Sequence, residues 1–556
     1  LEFDQRPAAA WPGLPNAPTC FIIQRMTSPA AVQPAQRQIA RAAGTVMLAF
    51  VLSNLVGLLR DVLVYRTFGT QAGLDTFYAA NRVAETLYNL AAGGALGSAF
   101  IPTFTALLTR GERTDAWRLA SAIANLVLLV LTALAALAAV FAPQVVRYGL
   151  FLLDPGGNPV QESLAVELLR ILLPTVVVFG LSGLLMGVLN AHQIFWAPAI
   201  APAMYSFGWI LGMWLLPESM GVYRLAYGAL GGSLLHLLIQ LPWLLRLNGR
   251  YWPSLGLRMP AVRQVARLMG PRLFGVAVVQ LNFFVNTIIG LNLAAGSVAA
   301  ITAAFRLMLM PQMAIAQSVA VAAMPTFSAQ AAQERLDEMR SALAGTLRAV
   351  LVLALPASAG LIMLRRPLMV LYSSTAFDER SIQLVTWALL WYGLGLVGHS
   401  VVEIVSRAFY ALQDTRTPVT VGVAAMTLNV LYSLGFTSLF RSMGWMPHGG
   451  LALANSLATF LEMLALLALM SLRLKGLEGR EMLRTLGKSG AATAAMAAVL
   501  AGWLALVGND PGWLALLGGL AAGVLAYGAA LLALRASELE LILGWTRRLA
   551  GRFHRG

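Results

Sequence analysis

Arg60, Asp61, Asp75, Arg82 and Glu85 are five of the six charged side chains, with Arg66, that crowd into one apolar stretch, residues 53–104. A fixed charge at the centre of a bilayer costs about 2.5–3.5 kcal/mol on insertion scales, so five of them suit no simple membrane anchor. Asp61, Arg66 and Asp75 read as end-of-helix charges, because an arginine can snorkel to the headgroups and Asp75 can cap a helix. Arg60 and Arg82 each begin or interrupt an apolar face. At least one of them is expected to line a water-filled cavity that attracts anions, since intramembrane charges face cavities or partners. The chemistry favoured there is the holding of an anion, because a guanidinium stays charged and offers forked donors to an anion's oxygens.

The elements that must position these groups are helices in a membrane. The chain has 556 residues, of which 58% are hydrophobic and 11% charged. Soluble proteins carry about 25% charged residues. The mean hydropathy of +0.73 agrees with an all-α polytopic membrane protein. A net charge of +15 could suggest nucleic acid. The basic residues punctuate apolar runs instead of forming a stripe, so no nucleic-acid partner is expected. Cys20 is the one cysteine, which excludes a disulfide framework and a thiol metal site. Residues 1–36 read as a disordered or spurious N-terminal extension, with Met26 as the expected start and no signal-peptide pattern.

A spanning helix needs about 20 mostly apolar residues. Counting such runs places about fourteen, at 43–66, 75–108, 117–141, 164–189, 195–216, 223–246, 264–294, 297–330, 340–363, 382–410, 417–439, 449–472, 486–507 and 512–535. Arginine collects in alternate links, as at Arg110, Arg113 and Arg118, and again at Arg246, Arg250 and Arg258. By the positive-inside rule both termini are expected in the cytoplasm. The basic tail, 537–556, reads as a surface helix on anionic lipid.

Two stretches repeat at nearly fixed offset. Arg82 stands 224 residues before Arg306, and Pro102-Thr103-Phe104 stands 223 before Pro325-Thr326-Phe327. Ala191-His192-Gln193 through Pro198 matches Ala411-Leu412-Gln413 through Pro418 at an offset of 220. The duplicated unit holds six helices, an even number, so both copies enter from one side. Two six-helix lobes, 37–250 and 251–475, should be related by a pseudo-two-fold along the membrane normal, with a site between them. Arg82 and Arg306 then take equivalent places. Two extra helices at 476–536 lie outside the duplication.

No catalytic signature is present: no phosphate-cradling loop with lysine, no HExxH, no paired-cysteine spacing, no nucleophile elbow. The chain is therefore not expected to be an enzyme, and no cofactor or metal is expected beyond Na+ or H+ as a candidate coupling ion. His399, Glu403 and Arg407 share one helix face at i, i+4, i+8 and read first as a salt-bridged stripe, with a proton relay as the alternative. His236 and Gln240 should bond to a neighbouring helix. Glu462 reads as a buried partner of an arginine or as a cation-coupling acid. The glycines at 228–233 and 394–399 read as helix packing.

SNLVGLLRDVLVYRTFG, LDTFYAANR and GGALGSAFIP resemble the first two helices of the MurJ/MviN lipid II flippases of the MOP exporter superfamily. Residues 269–311 and 407–419 resemble that family's helix seven to eight region and its helix ten to eleven link. The resemblance implies transport of undecaprenyl-diphosphate-linked peptidoglycan precursor across the bacterial cytoplasmic membrane. It implies a cationic cavity between two lobes and a groove for the lipid tail at the last two helices. It places Arg60 and Arg306 among the cavity arginines and Ser53 and Asp75 at motif positions, with Arg82 assisting. The pattern departs at Asn54 and Tyr88, where relatives carry arginine, and at Gly93 and Phe305, where they carry acids. Asn286 and Ser433, beside Asn429, stand where sodium-binding members use acids.

Transport of lipid II by alternating access is the leading expectation, with the lipid-linked precursor and membrane lipids as partners. A flippase for another polyprenyl-linked glycan is the alternative. So is a non-transporting scaffold bound to cell-wall synthesis proteins. A small-cation antiporter shares the fold but wants acids in its cavity, and a membrane transferase lacks an acid pair.

Overall fold

The computed structural model describes residues 49, 52–91, 94–508 and 512–535. The N-terminal extension with Cys20 and Met26, position Gly93, and the basic tail lie outside these. Helices follow in the order expected: α1 (52–68), α2 (Ala72–Ala91, then Gly94–Thr109) and α3 (Arg113–Val140). Next come α4 (Pro159–Ala191), α5 (Trp196–Leu215) and α6 (Tyr223–Leu238, then Leu241–Leu245). The second half opens with α7 (Pro260–Leu291) and α8 (Ser297–Gln312, a π-helical turn at Met313–Gln317, then Ser318–Ala332). It continues with α9 (Leu336–Met363), α10 (Glu379–Ala411), α11 (Arg416–Ser442) and α12 (His448–Arg473). The last pair is α13 (Gly479–Val507) and α14 (Gly512–Ala533).

By length and apolarity, 10 of these helices qualify as spans, and 11 if α7, bent by 47° near its middle, is taken as one. The other three are α1, the charged α2, and α5 with its three prolines at 198, 202 and 217 close by. Among the described residues, helices therefore occupy the expected places, though α1, α2 and α5 fall short of a span by apolarity alone.

The duplication is written into the backbone. The lobes' third helices, α3 and α9, both have 28 residues, and the fourth, α4 and α10, both have 33. Each fourth helix ends on a left-handed glutamine, Gln193 at φ 59° and Gln413 at φ 58°. Behind each, the same closing hydrogen bond forms, Ile194 N–H to Leu189 and Asp414 N–H to Phe409. That six-to-one bond satisfies a carbonyl the helix end would otherwise orphan. Phe104 and Phe327 are both buried at matching positions.

Small residues set the closest packing. A Cβ on Gly208 of α5 would lie 2.1 Å from the Cα of Gly232 on α6, and one on Gly212 would lie 2.5 Å from that of Gly228. The glycine-bearing 228–233 stretch is thus a packing seam, as small residues let membrane helices approach closely. Because the obstacle is backbone, Gly208→Leu should cost about 3 kcal/mol, as overpacked cores do. Thermal unfolding in detergent would show it. Gly395 and Gly398 play the same part for α10 against Ser456 and Thr459 of α12.

Candidate functional site

The burial pattern of α1 explains why its charges turn inward. Ser53, Asp61, Val64 and Tyr65 are buried on one face, while Arg66 is exposed. Asp61 is 8% exposed. It is therefore no end-of-helix charge, and the sequence-based expectation is corrected here. Its Oδ1 accepts from Arg60 Nε at 3.0 Å and Nη2 at 2.7 Å, and from Arg306 Nη1 at 2.8 Å. One carboxylate thus joins a guanidinium of α1 to one of α8, across 245 residues. Arg60 lies over Trp209 at 4.9 Å and reaches Ser206, while Arg306 lies over Tyr78 at 5.7 Å. A cavity of only about 10 Å³ adjoins them, between Asp61, Arg306, Tyr65 and Tyr372. That is room for one water at most.

Beyond this seam the lobes enclose more space. A cavity of about 220 Å³ is lined by Arg82 and Glu85 of α2, Asn286 of α7, Phe305 and Arg306 of α8, Tyr392 of α10 and Asn455 of α12. A second, about 340 Å³, opens on the N-terminal side past Asn81, Glu85, Tyr88, Tyr205 and His236. Glu85 borders both. Arg82 donates to Glu85 at 3.0 Å and lies over Phe283 at 5.1 Å, while its Nε is buried without an acceptor among the described residues. The arginines related by the duplication thus face one cavity. Its charged lining is two guanidiniums, Arg82 and Arg306, and one carboxylate, Glu85, with the Arg60–Asp61 pair behind Arg306, which leaves one net positive charge and an unused donor. Such a site favours an anion, and Arg suits phosphate oxygens best.

One end of this space is shut by contacts between lobes. Asp75, 3% exposed, accepts from Gly296 N–H at 2.6 Å and Ala299 N–H at 2.7 Å. It caps a helix, but that helix is α8 of the opposite lobe, where an anion complements the unpaired N–H groups and the dipole. Thr70 Oγ1 meets Ser381 Oγ at 2.9 Å, and Ser374 Oγ donates to the Arg66 carbonyl at 2.6 Å. Glycine is required on both sides of this closure. Gly69 and Gly296 have φ of +60° and +94°, and a Cβ on either would lie about 2 Å from a carbonyl oxygen of the facing lobe. Asp75→Ala should orphan two buried N–H groups and weaken the closure by about 2 kcal/mol. A cysteine at Thr70 should then react faster with an impermeant thiol reagent.

A model of the lipid II flippase MurJ family matches residues 64–516. The chain belongs to that family. The lipid II flippase MurJ of Burkholderia cenocepacia is 31% identical over 441 residues, which cover 76% of this chain and 83% of that protein. Among solved structures, a lipid II flippase MurJ in an inward closed conformation superposes with a TM-score of 0.73 at 22% identity, over 87% of this chain and 97% of that one. An inward-facing MATE multidrug transporter of the MOP superfamily gives 0.65 at 15% identity, over 77% and 96%. These likenesses place the fold among MurJ and MATE transporters, and the family is one of transporters, not enzymes.

In this MurJ-family chain the other expected positions divide into groups. Ser53 spends its hydroxyl on the Ala199 carbonyl of α5, and Asn54 is exposed at the start of the described helix. Asn286, Asn429 and Ser433 do come together, joined by Asn282, which sequence reading missed. Ser433 Oγ lies 2.9 Å from Asn286 Oδ1 and 3.0 Å from Asn429 Oδ1, and Asn282 Nδ2 donates to the Met426 carbonyl. The missed signal was spacing: Asn282 and Asn286 are one turn apart, as are Asn429 and Ser433. These amides and hydroxyls bond to one another, and among the described residues no carboxylate joins them. The donor set is therefore a poor fit to a sodium ion held by acids.

The stripe on α10 separates. Glu403 and Arg407 pair at 2.7 Å, but His399 turns to α12, with Nε2 3.1 Å from Asn455 Oδ1. His236 and Gln240 both reach Ser182 of α4, at 2.6 and 2.7 Å. Among the described residues Glu462 pairs with no arginine, which does not support one of the two readings given to it. In the link after α10, the Thr417 backbone N–H and hydroxyl hold the Asp414 carboxyl below the usual carboxylate range.

Proposed function

We propose that this protein moves a polyprenyl-diphosphate-linked peptidoglycan precursor, lipid II, from the inner to the outer leaflet of the bacterial cytoplasmic membrane by alternating access. One observation carries the reading: Arg82 and Arg306, matched positions of two duplicated lobes, line a common cavity whose charges sum to an excess cation. A diphosphate held there would bridge the lobes, and its arrival would compete with Glu85 and Asp61 for the guanidiniums. Ser53 acts in helix packing and Asp75 in the closure, not as ligands of the headgroup. The positive-inside rule puts both termini in the cytoplasm, so the closure around Asp75 is the outer gate.

The tail has its own place. A groove of about 590 Å³ runs between α9, α13 and α14, lined by Pro356, Gly360, Leu500, Gly519, Gly523 and Tyr527 among others. Tyr527 fixes it by donating to the Val352 carbonyl at 2.6 Å. Its apolar glycine-rich walls suit a flexible prenyl chain. Leaflet accessibility of labelled lipid II in proteoliposomes tests the assignment. Rapid loss of one-sided protection is expected. Unchanged protection, with transfer of another polyprenyl-linked glycan, would move the assignment to that substrate.

A further inference from the structure

The central cavity continues into a line of polar groups between α10 and α12 that the headgroup site does not use. Asn455 lines the cavity, and its Oδ1 accepts from His399 Nε2 at 3.1 Å. Thr459, one turn along α12, stands 3.4 Å from the same nitrogen. The other imidazole nitrogen has no hydrogen-bond partner among the described residues. Phe305, itself a wall of the cavity, covers the ring edge-on with centroids 6.2 Å apart.

Glu462 comes next on that face of α12, after Asn455 and Thr459 and before the buried Leu466. It lies near the middle of a spanning helix and makes no hydrogen bond or ion pair among the described residues. An acid at that depth is rare and costly unless it serves a pathway. Space is kept for it, since a Cβ on Gly422 of α11 would sit 3.4 Å from its Oε1. Tyr410 is within electrostatic reach of both Glu462 and Glu403, and Glu403 pairs with Arg407 near the end of α10.

We propose that this file carries protons, with His399 and Glu462 as the groups that take them up and release them. It would couple the movement of a lipid-linked anion outward to proton entry, and so rests on the transport reading above. A proton from the outward-open cavity binds the free nitrogen of neutral His399. The imidazolium gives up its Nε2 proton through the Thr459 hydroxyl, and Glu462 receives it after a rotation or across one water. Release is toward Glu403, Tyr410 and the end of α10. The groups facing Glu462 are few. Helix α10 presents His399, Glu403, Arg407 and Tyr410. Helix α8 carries only Arg306, at the cavity end, and α7 only arginines, at 263, 267 and 272. The ionisable groups of α11, at 416, 432 and 441, all lie more than a turn from Gly422.

The test uses the full chain in liposomes with labelled lipid II and internal pyranine, at clamped membrane potential. An imposed pH gradient should speed lipid II transfer by about tenfold, within the range of ordinary coupling energies. Glu462→Gln should keep the gradient-free rate and lose the acceleration and the pyranine signal, at an unchanged unfolding temperature. Should that variant misfold, Gly422→Val, which crowds the carboxylate, should weaken the acceleration. Equal wild-type rates with and without the gradient would overturn the proton file and leave the flippase assignment standing, as would full acceleration in Glu462→Gln. Glu462-dependent proton entry without any lipid II movement would keep the file and overturn the lipid assignment.

Discussion

Asp61→Ala should abolish growth of a cell that relies on this chain as its sole flippase, and should also lower the stability of the purified protein. Removing one partner of a buried ion pair costs about 3–5 kcal/mol, because an uncompensated charge stays behind. Here the loss is worse in kind, since Arg60 and Arg306 would face each other with no acid between them. Asp61→Asn keeps the shape and an acceptor oxygen, so its cost should be smaller. The double variant Asp61→Leu with Arg60→Met should regain much of the stability but not transport. That split between unfolding temperature and complementation separates the folding role of the carboxylate from its role in the cavity.

Arg306→Ala should behave in the opposite way. Asp61 keeps Arg60, so the fold should lose little. Transport should fall by about 10- to 100-fold, the worth of a charge-assisted contact to a phosphate oxygen. Arg306→Lys keeps the charge but loses the fork, and should recover only part of the rate. Initial rates of lipid II transfer at equal protein content would check both. Wild-type growth by Arg306→Ala at normal expression would remove the central cationic cavity from the mechanism.

The two predictions also show where sequence reading succeeds and stops. Arg82 and Arg306 were legible because a duplication preserves offset, and offset needs no knowledge of packing. The helices were legible because apolar runs of spanning length report on the bilayer. Asp61 was not legible. Beside Arg60 it looks like a local charge pair, and its second partner lies 245 residues away on α8. Asp75 was half legible: an acid in a first turn suggests capping, but nothing in the chain says which helix is capped. His399 shows the same limit. Its spacing to Glu403 pointed along α10, whereas the actual partner, Asn455, belongs to α12.

The groove between α9, α13 and α14 is walled almost wholly by apolar side chains. On the transport reading proposed above, an isoprenoid held there would stay among apolar groups while its headgroup crosses, and added isoprene units would trail into the bilayer. Such a channel holds no ruler for the cargo. Carriers of different prenyl length bearing the same sugar-pyrophosphate should therefore cross at similar speed, and selection among cargoes must be made at the polar end alone.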